Sequence, residues 1–170
     1  SYERSGVPTG PTVVLVHGLA GCWQNWLANV IGLSERFRVV ALDLPGFGGS
    51  ELPADPISIP GYANCIAGLL DHLEVASAFV IGNSMGGATA LCFAVDYPER
   101  LDKMILMGSG GAGATLFGQQ PSEGGKALVA CYHDQSFETF RKFFDVMLYN
   151  GKAVPDEVLR RRAESVSQPH

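Results

Sequence analysis

Four short runs of apolar, largely β-branched residues recur along the first two thirds of the chain, each bounded by glycine, proline or polar residues. They are TVVLVH at residues 12–17, FRVVALD at 37–43, AFVIG at 78–82 and KMILM at 103–107. A short apolar run without polar alternation is typical of a strand buried on both faces, as in a parallel sheet. We therefore predict four buried strands.

Helical patterns fill the intervals between these runs. The spacing of apolar residues predicts helices over residues 23–33, 59–73 and 85–96, and Pro98 ends the last of them. Regular alternation of strand and helix favours a mostly parallel sheet covered by helices on both faces, with right-handed crossovers. The fold class predicted for residues 1–111 is therefore α/β.

The pattern changes after a glycine-rich break at residues 108–113. No strand-like run follows it, and helices are predicted over residues 121–132, 135–148 and 155–166, the second with a stripe of phenylalanines. We predict that residues 112–170 form the start of a helical cap, or lid, inserted after a strand of the α/β unit.

Charge and apolar content exclude several classes of function. Twelve Lys and Arg against seventeen Asp and Glu give a net charge of −5, which provides no basic surface for nucleic acid or anionic lipid. No apolar stretch approaches the roughly 20 residues that cross a bilayer. We expect neither nucleic acid nor membrane as a partner. Because the four cysteines form no CxxC pair, a disulfide framework and a zinc site are not indicated, and we expect a cytoplasmic location.

The third predicted strand runs into GNSMGG, residues 82–87, which opens the next helix. A G-x-S-x-G between strand and helix matches a nucleophile elbow, where the chain turns so sharply that glycines must flank the serine. Ser84 would project its hydroxyl from the carboxyl edge of the sheet, at the positive end of a helix that favours a developing anion. The strand and helix on either side make Ser84 the candidate nucleophile.

A second glycine-rich segment, HGLAG at residues 17–21, follows the first predicted strand. Acyl-transfer enzymes of this architecture keep an oxyanion donor there, so the backbone amides of Leu19 and Met85 would act together. An ordinary loop between strand and helix is the alternative. A third loop, DLPGFGGS at residues 43–50, is rich in turn residues, and we interpret Asp43 as structural rather than catalytic.

VVLVHG, LDLPGFGGS and GNSMGG, in this order and spacing, resemble the α/β-hydrolase superfamily. GNSMGG followed by DYPERLDKMILMGSGG, with the lid segments LFGQQPSEGGKAL and FRKFFDVMLYNGKAVPDEVLRRR, resembles its branch of meta-cleavage product hydrolases, which cut carbon–carbon bonds. The resemblance covers nearly the whole chain. It departs at the oxyanion loop, which in that branch usually reads HGGGPG and here reads HGLAG.

The resemblance implies roles for residues at matching positions. Ser84 matches the nucleophile, and Leu19 and Met85 match the oxyanion-hole amides. The positions matched to substrate binding are Gly18, Asn25, Asn83 and Arg162. The arginine would bind a carboxylate or enol oxygen with its planar charged fork, but Arg160, Arg161 and Arg162 are consecutive, so a register shift of one residue or a solvated helix face is the alternative. The resemblance implies no metal or organic cofactor. It does imply that the protein forms homo-oligomers.

A serine hydroxyl needs a base, and in this architecture the chain order is Ser, then Asp or Glu, then His. In the family these partners follow strands beyond the lid, and none of the four histidines here (His17, His72, His133 and His170) stands at a matching position. The strand at residues 103–107 would also be an open apolar edge. Only residues 1–6 correspond to the antiparallel strands that usually precede VVLVHG, so no antiparallel strand is expected there.

We therefore expect the chain to be the N-terminal part of a longer hydrolase. A second chain would carry the missing strands with the triad Asp and His. The expected reaction is hydrolysis of a carbon–carbon bond in a vinylogous 2-hydroxy-6-oxo-dienoate, a small molecule from aromatic catabolism. A carboxylesterase or related acyl hydrolase is the alternative favoured by HGLAG. The missing Asp and His favour a third interpretation, a fragment or binding protein without catalytic activity.

Overall fold

The computed structural model describes residues 1–111 and 121–167, and within them all side chains except those of residues 132, 162 and 165–167. A five-stranded sheet has the order β1-β3-β2-β4-β5. Its strands are β1 (Tyr2–Gly6), β2 (Thr12–Val16), β3 (Arg38–Leu42), β4 (Ala78–Asn83) and β5 (Leu101–Met107). The strands β3, β2, β4 and β5 are parallel, and only β1 runs antiparallel, to β3. The four predicted strands and the α/β class are confirmed.

The expectation that no antiparallel strand precedes β2 was wrong. Residues 2–6 pair with β3 over its full length, from Tyr2 opposite Leu42 to Gly6 opposite Arg38. The sequence YERSG has no apolar pattern, because β1 is an edge strand whose side chains are mostly exposed. Backbone pairing with the buried strand β3, rather than burial of its own side chains, places it in the sheet.

Three helices accompany the sheet: α1 (Leu27–Leu33), α2 (Ile59–His72) and α3 (Met85–Asp96). The predicted helix over residues 23–33 is instead a 3₁₀ turn, Trp23–Trp26, followed by α1. The Trp23 amide donates to the Asp43 carboxylate at 2.7 Å, which ties the start of this segment to the end of β3. The helix therefore begins one turn later than its apolar pattern suggests.

Two apolar clusters cover opposite faces of the sheet. One joins Val14 and Val80 to α2 and α3, with Ile66, Leu70 and Phe93 fully buried. The other joins Val13, Leu15 and Val39 on the opposite face to Trp26. Because alternate residues of each strand point to opposite faces, the buried strand β2 contributes to both clusters. This double burial explains its uninterrupted apolar sequence.

The strand β5 forms one edge of the sheet and is mostly exposed. No strand pairs with its outer side among the residues that the structure describes. Met104, Ile105 and Met107 are exposed large apolar residues on this strand, as the sequence predicted for an open edge. The edge therefore offers both unpaired backbone groups and apolar side chains.

By internal contacts the chain divides into two compact units, Ser1–Gly113 and Ala114–His170. The second unit has the helices α4 (Glu123–His133), α5 (Phe137–Met147) and α6 (Asp156–Ser167), around a small core of Cys131, Phe140 and Ala163. Arg141, in the middle of α5, links this helix to the start of α6 by donating to the carbonyls of Gly151 and Val154 and to Asp156. None of the described helices has the length and apolar character needed to span a bilayer.

Candidate active site

Ser84 occupies the single residue between β4 and α3, and its backbone is strained. It has φ 53° and ψ −114°, in the positive-φ region that residues with a Cβ atom rarely adopt. Strain of this kind costs about 1–3 kcal/mol and persists only where the surrounding structure enforces it. The turn therefore has the backbone geometry of a nucleophile elbow.

The glycines around Ser84 are required by close backbone contacts. A Cβ atom on Gly82 would collide with the Gly86 carbonyl oxygen. A Cβ atom on Gly86 would collide with the Val16 carbonyl oxygen and lie 2.6 Å from that of His17. These clearances let the first turn of α3 pack directly on the end of β2.

Hydrogen bonds fix the backbone of Ser84 on both sides. Its amide donates to the Met107 carbonyl at 2.9 Å, and its carbonyl accepts from the amides of Gly87 and Gly110 at 3.0 and 3.1 Å. The Ser84 side chain is only partly buried, and its hydroxyl makes no hydrogen bond to any residue in the described ranges. A rigid backbone thus presents a partly accessible hydroxyl.

The loop after β2 lies against the elbow. A Cβ atom on Gly18 would be 3.0 Å from the Ser84 Cβ and 3.1 Å from the Asn83 Oδ1, so this glycine sits directly beside the serine. The Gly21 amide donates to the Gly18 carbonyl at 3.0 Å and closes a turn around Leu19 and Ala20. Met85 is the first residue of α3, where helix geometry leaves the amide without an intrahelical acceptor. Leu19 and Met85 thus stand on the two segments that meet at Ser84.

The other predicted substrate-binding residues differ in how closely the structure associates them with Ser84. Asn83, at the end of β4, donates from its Nδ2 to the Met107 carbonyl at 3.1 Å. Asn25 is exposed on the 3₁₀ turn, and its Oδ1 accepts from the Cys22 thiol at 3.5 Å. Arg162 belongs to α6, but its side chain lies outside the described residues.

No histidine in the described ranges is placed to activate Ser84. Both ring nitrogens of His17 are engaged: Nε2 accepts from the Leu44 amide at 3.0 Å, and Nδ1 lies 2.7 Å from the Gly18 carbonyl oxygen. The His72 ring packs against Tyr2 at the far end of α2, and His133 ends α4 in the second unit. The described part of the chain also contains no group of three His, Cys, Asp or Glu side chains able to hold a metal ion.

Asp43 is a buried carboxylate that connects two loops next to the candidate site. Its Oδ1 accepts from the Trp23 amide at 2.7 Å and its Oδ2 from the Gly49 amide at 2.9 Å. Gly48 has φ +56°, and a Cβ there would lie 2.5 Å from both carboxylate oxygens. The carboxylate thus joins the two loops that follow β2 and β3, in agreement with its interpretation as structural.

Sequence reasoning missed a cavity of about 360 Å³ beside these loops. Its walls are largely apolar and include Phe47, Leu52, Ile57 and Tyr62. Phe47 also packs edge-on against the His17 ring, with ring centroids 5.5 Å apart. Burial, with a smaller contribution from the Cys65 thiol, raises the pKa of Tyr62, so its phenol stays protonated. The sequence signal for this cavity was the three prolines within residues 45–56, which indicate a rigid loop.

A strained serine between a parallel strand and a helix, beside a glycine loop that follows another parallel strand, defines the class of α/β proteins with a nucleophile elbow. The chain belongs to the alpha/beta hydrolase fold family, whose sequence pattern matches residues 11–147. The resemblance to this superfamily is therefore confirmed.

The similar proteins point to one branch of the family. A 2-hydroxy-6-oxo-6-phenylhexa-2,4-dienoate hydrolase from Comamonas testosteroni is 42% identical over 98% of this chain and 59% of its own length. A 2-hydroxy-6-oxononadienedioate/2-hydroxy-6-oxononatrienedioate hydrolase from Burkholderia vietnamiensis is 37% identical over 91% of this chain and 55% of its own.

A solved structure gives the same result. The meta-cleavage product hydrolase from Pseudomonas fluorescens IP01 superposes with a TM-score of 0.86 and 34% identity, over 99% of this chain and 60% of that chain. The resemblance to meta-cleavage product hydrolases is thus confirmed. The chain spans somewhat more than half the length of these relatives.

Proposed function

We propose that this chain contributes the nucleophile side of a serine hydrolase that cleaves a carbon–carbon bond in a vinylogous 2-hydroxy-6-oxo-dienoate. The observation that carries the proposal is the strained Ser84 next to the glycine loop at Gly18, with a fixed backbone and a hydroxyl that bonds to none of the described residues. The names of the similar hydrolases supply the substrate class: they share a 2-hydroxy-6-oxo acid and differ in the group beyond the 6-oxo carbon.

The proposed reaction assigns one role to each part of the elbow. The enol form of the substrate is first converted to its keto form. The 6-oxo carbon is then attacked with Ser84 as the nucleophile, while the amides of Leu19 and Met85 hold the oxyanion. Collapse of the oxyanion breaks the carbon–carbon bond and expels a dienol carboxylate, and water releases the second acid. The chemistry needs no metal or organic cofactor.

The acidic end of the substrate would lie near Gly18, Asn25 and Asn83, with Arg162 as the cationic partner. Support comes from the close approach of Gly18 to Ser84 and to the Asn83 side chain. A Cβ at Gly18 would lie 3.0 Å from the Ser84 Cβ, so only glycine lets this loop approach the serine so closely. We also propose that residues 112–170 are the start of the cap, to which Arg162 belongs.

The acid and base that activate Ser84 are proposed to come from polypeptide outside these residues, as a second chain or a further segment. The engaged nitrogens of His17 and the exposed apolar edge at β5 support this proposal. We also propose assembly as a homo-oligomer, which the family resemblance implies, and a cytoplasmic location, which the four cysteines without a CxxC pair favour.

Substitution of Ser84 tests the proposal. In the protein assembled with the segment that supplies the acid and histidine, Ser84→Ala should lower kcat for 2-hydroxy-6-oxo-6-phenylhexa-2,4-dienoate by about 10⁴-fold or more, because the nucleophile is lost. Substrate binding should remain close to wild type. The loss of the coloured dienoate measures turnover. Ser77→Ala is the matched control, since Ser77 immediately precedes β4, at the end opposite Ser84, and its hydroxyl donates to Asp102; a Ser84→Ala protein as active as this control would refute the mechanism.

The sequence HGLAG favours a carboxylesterase as the second candidate. Parallel assays with p-nitrophenyl acetate and the coloured dienoate separate the two reactions. If the assembled protein hydrolyses the ester at least 100-fold more efficiently than the dienoate, the esterase assignment stands. A fluorophosphonate that fails to label Ser84 in the assembled protein would instead support a chain without catalytic activity.

A further inference from the structure

We propose that His17 is a positioning residue that holds the amide of Leu19 where the oxyanion forms. The inference rests on the function proposed above, because it assigns a purpose to the shape of the loop that carries Leu19. His17 itself touches no reacting atom. It acts by bonding one side of its ring to the turn and the other side to the end of a neighbouring strand.

The turn at residues 18–21 places Leu19 at its second position. The Gly18 carbonyl accepts from the Gly21 amide, which is the hydrogen bond that closes the turn. Ala20 has φ 52°, and a positive φ at the third position is typical of a type II turn. In such a turn the amide of the second residue takes no part in the closing bond, so the Leu19 amide remains available to a ligand.

The His17 ring reinforces this turn at the same carbonyl. Its Nδ1 lies 2.7 Å from the Gly18 oxygen, so that oxygen accepts from both the imidazole and the Gly21 amide. A carbonyl only accepts, and the Leu44 amide that approaches Nε2 at 3.0 Å only donates. The imidazole is therefore neutral, with its proton on Nδ1, and it joins the turn after β2 to the chain after β3.

Packing leaves the ring little freedom. The His17 side chain is buried, with 1% of its surface exposed, and Phe47 covers it edge-on. A Cβ atom on Gly21 would lie 2.8 Å from Nδ1 and 2.7 Å from the Gly18 oxygen. The glycine at position 21 is thus explained by the need to bring the ring and the turn together.

Three substitutions of His17 separate its shape from its two bonds. His17→Phe keeps a ring but removes both bonds, His17→Asn keeps a donor at the position of Nδ1, and His17→Gln keeps an acceptor at the position of Nε2. In the assembled protein His17→Phe should lower kcat about 10- to 100-fold, less than the 10²- to 10³-fold typical of removing an oxyanion donor. KM should stay within about threefold, since the loss falls on the transition state. His17→Asn should recover most of kcat, and His17→Gln should not.

A second variant covers the case in which His17→Phe does not fold. Gly21→Ala introduces the close contact described above and should give the same loss of kcat with little change in KM. Ile66→Val is the stability control, because it removes a methyl group from a fully buried side chain of α2, which is not part of the turn at residues 18–21. It should lower Tm without changing kcat.

The outcomes separate this inference from the proposed function. If His17→Phe and Gly21→Ala both retain wild-type kcat, or if they change kcat no more than Ile66→Val does at equal loss of Tm, His17 has no positioning role. If the dienoate is not turned over but fluorophosphonate still labels Ser84, the substrate assignment fails. The labelling rate of the same variants then tests His17, with the same ranking expected.

Discussion

At the scale of single residues, close contacts explain why glycine occurs where it does in the elbow. Gly82 and Gly86 have no room for a Cβ, because the backbone of α3 packs against the ends of β4 and β2. The sequence motif predicted this crowding, because a strand that turns directly into a helix brings the backbone of the strand, the turn and the helix close together. It did not predict the partner atoms of Gly86, which belong to Val16 and His17, more than 60 residues away along the chain.

A pair of glycine substitutions tests this crowding. Gly86→Ala should destabilise the protein by about 1–3 kcal/mol or more, because its Cβ overlaps backbone atoms that cannot move freely. Gly68→Ala is the matched control: Gly68 lies within α2 with no atom within 4 Å of an added Cβ. It should stabilise by about 0.5–1 kcal/mol through helix propensity. Urea unfolding measures both, and equal effects would contradict the packing at Gly86.

At the scale of secondary structure elements, helix ends were predicted to within a few residues because they carry local signals. The Ser58 hydroxyl accepts from the Gly61 amide at the start of α2, and Ser136 accepts from Thr139 at the start of α5. Such caps are set by neighbouring residues, so a sequence pattern predicts them. The strand β1 was missed because its place depends on the distant strand β3.

The end of α2 provides a test at this scale. The Val75 amide donates to the Leu70 carbonyl and the Glu74 amide to that of Asp71, which together form a Schellman motif. Glu74 occupies its left-handed position with φ 55°, where glycine is preferred. Glu74→Gly should therefore stabilise the protein by about 1 kcal/mol in thermal or urea unfolding. Glu74→Ala keeps the unfavourable φ and should give no gain; a larger gain from alanine would contradict the strain.

At the scale of the whole molecule, the exposed edge at β5 is the feature that most affects whether the chain associates in solution. Ile105 has 56% of its surface exposed on an edge strand whose outer backbone is unpaired within the described residues. Apolar edge strands pair readily with other chains. We therefore expect the chain, taken without a partner, to associate in a concentration-dependent way.

Substitution of Ile105 tests this expectation. Ile105→Lys should reduce association in size-exclusion chromatography or light scattering, because a charge on an edge strand opposes pairing. Ile31→Lys is the control, since Ile31 is 74% exposed but lies on the helix α1 rather than on a strand. It should have little effect. If the unsubstituted chain forms a stable, well-folded monomer, this would contradict the proposal that other polypeptide completes the sheet at β5.

The sequence by itself determined the parallel strands, the alternation with helices and the turn at Ser84. These features depend on the pattern of buried residues in each segment and on backbone sterics within a few residues. Only the tertiary structure decided that β1 joins the sheet, that Asp43 bonds to Trp23 and Gly49, and that His17 connects the oxyanion turn to Leu44. Those contacts arise because the sheet order places the ends of β2 and β3 side by side, and no local pattern encodes which distant amide or carbonyl a side chain will meet.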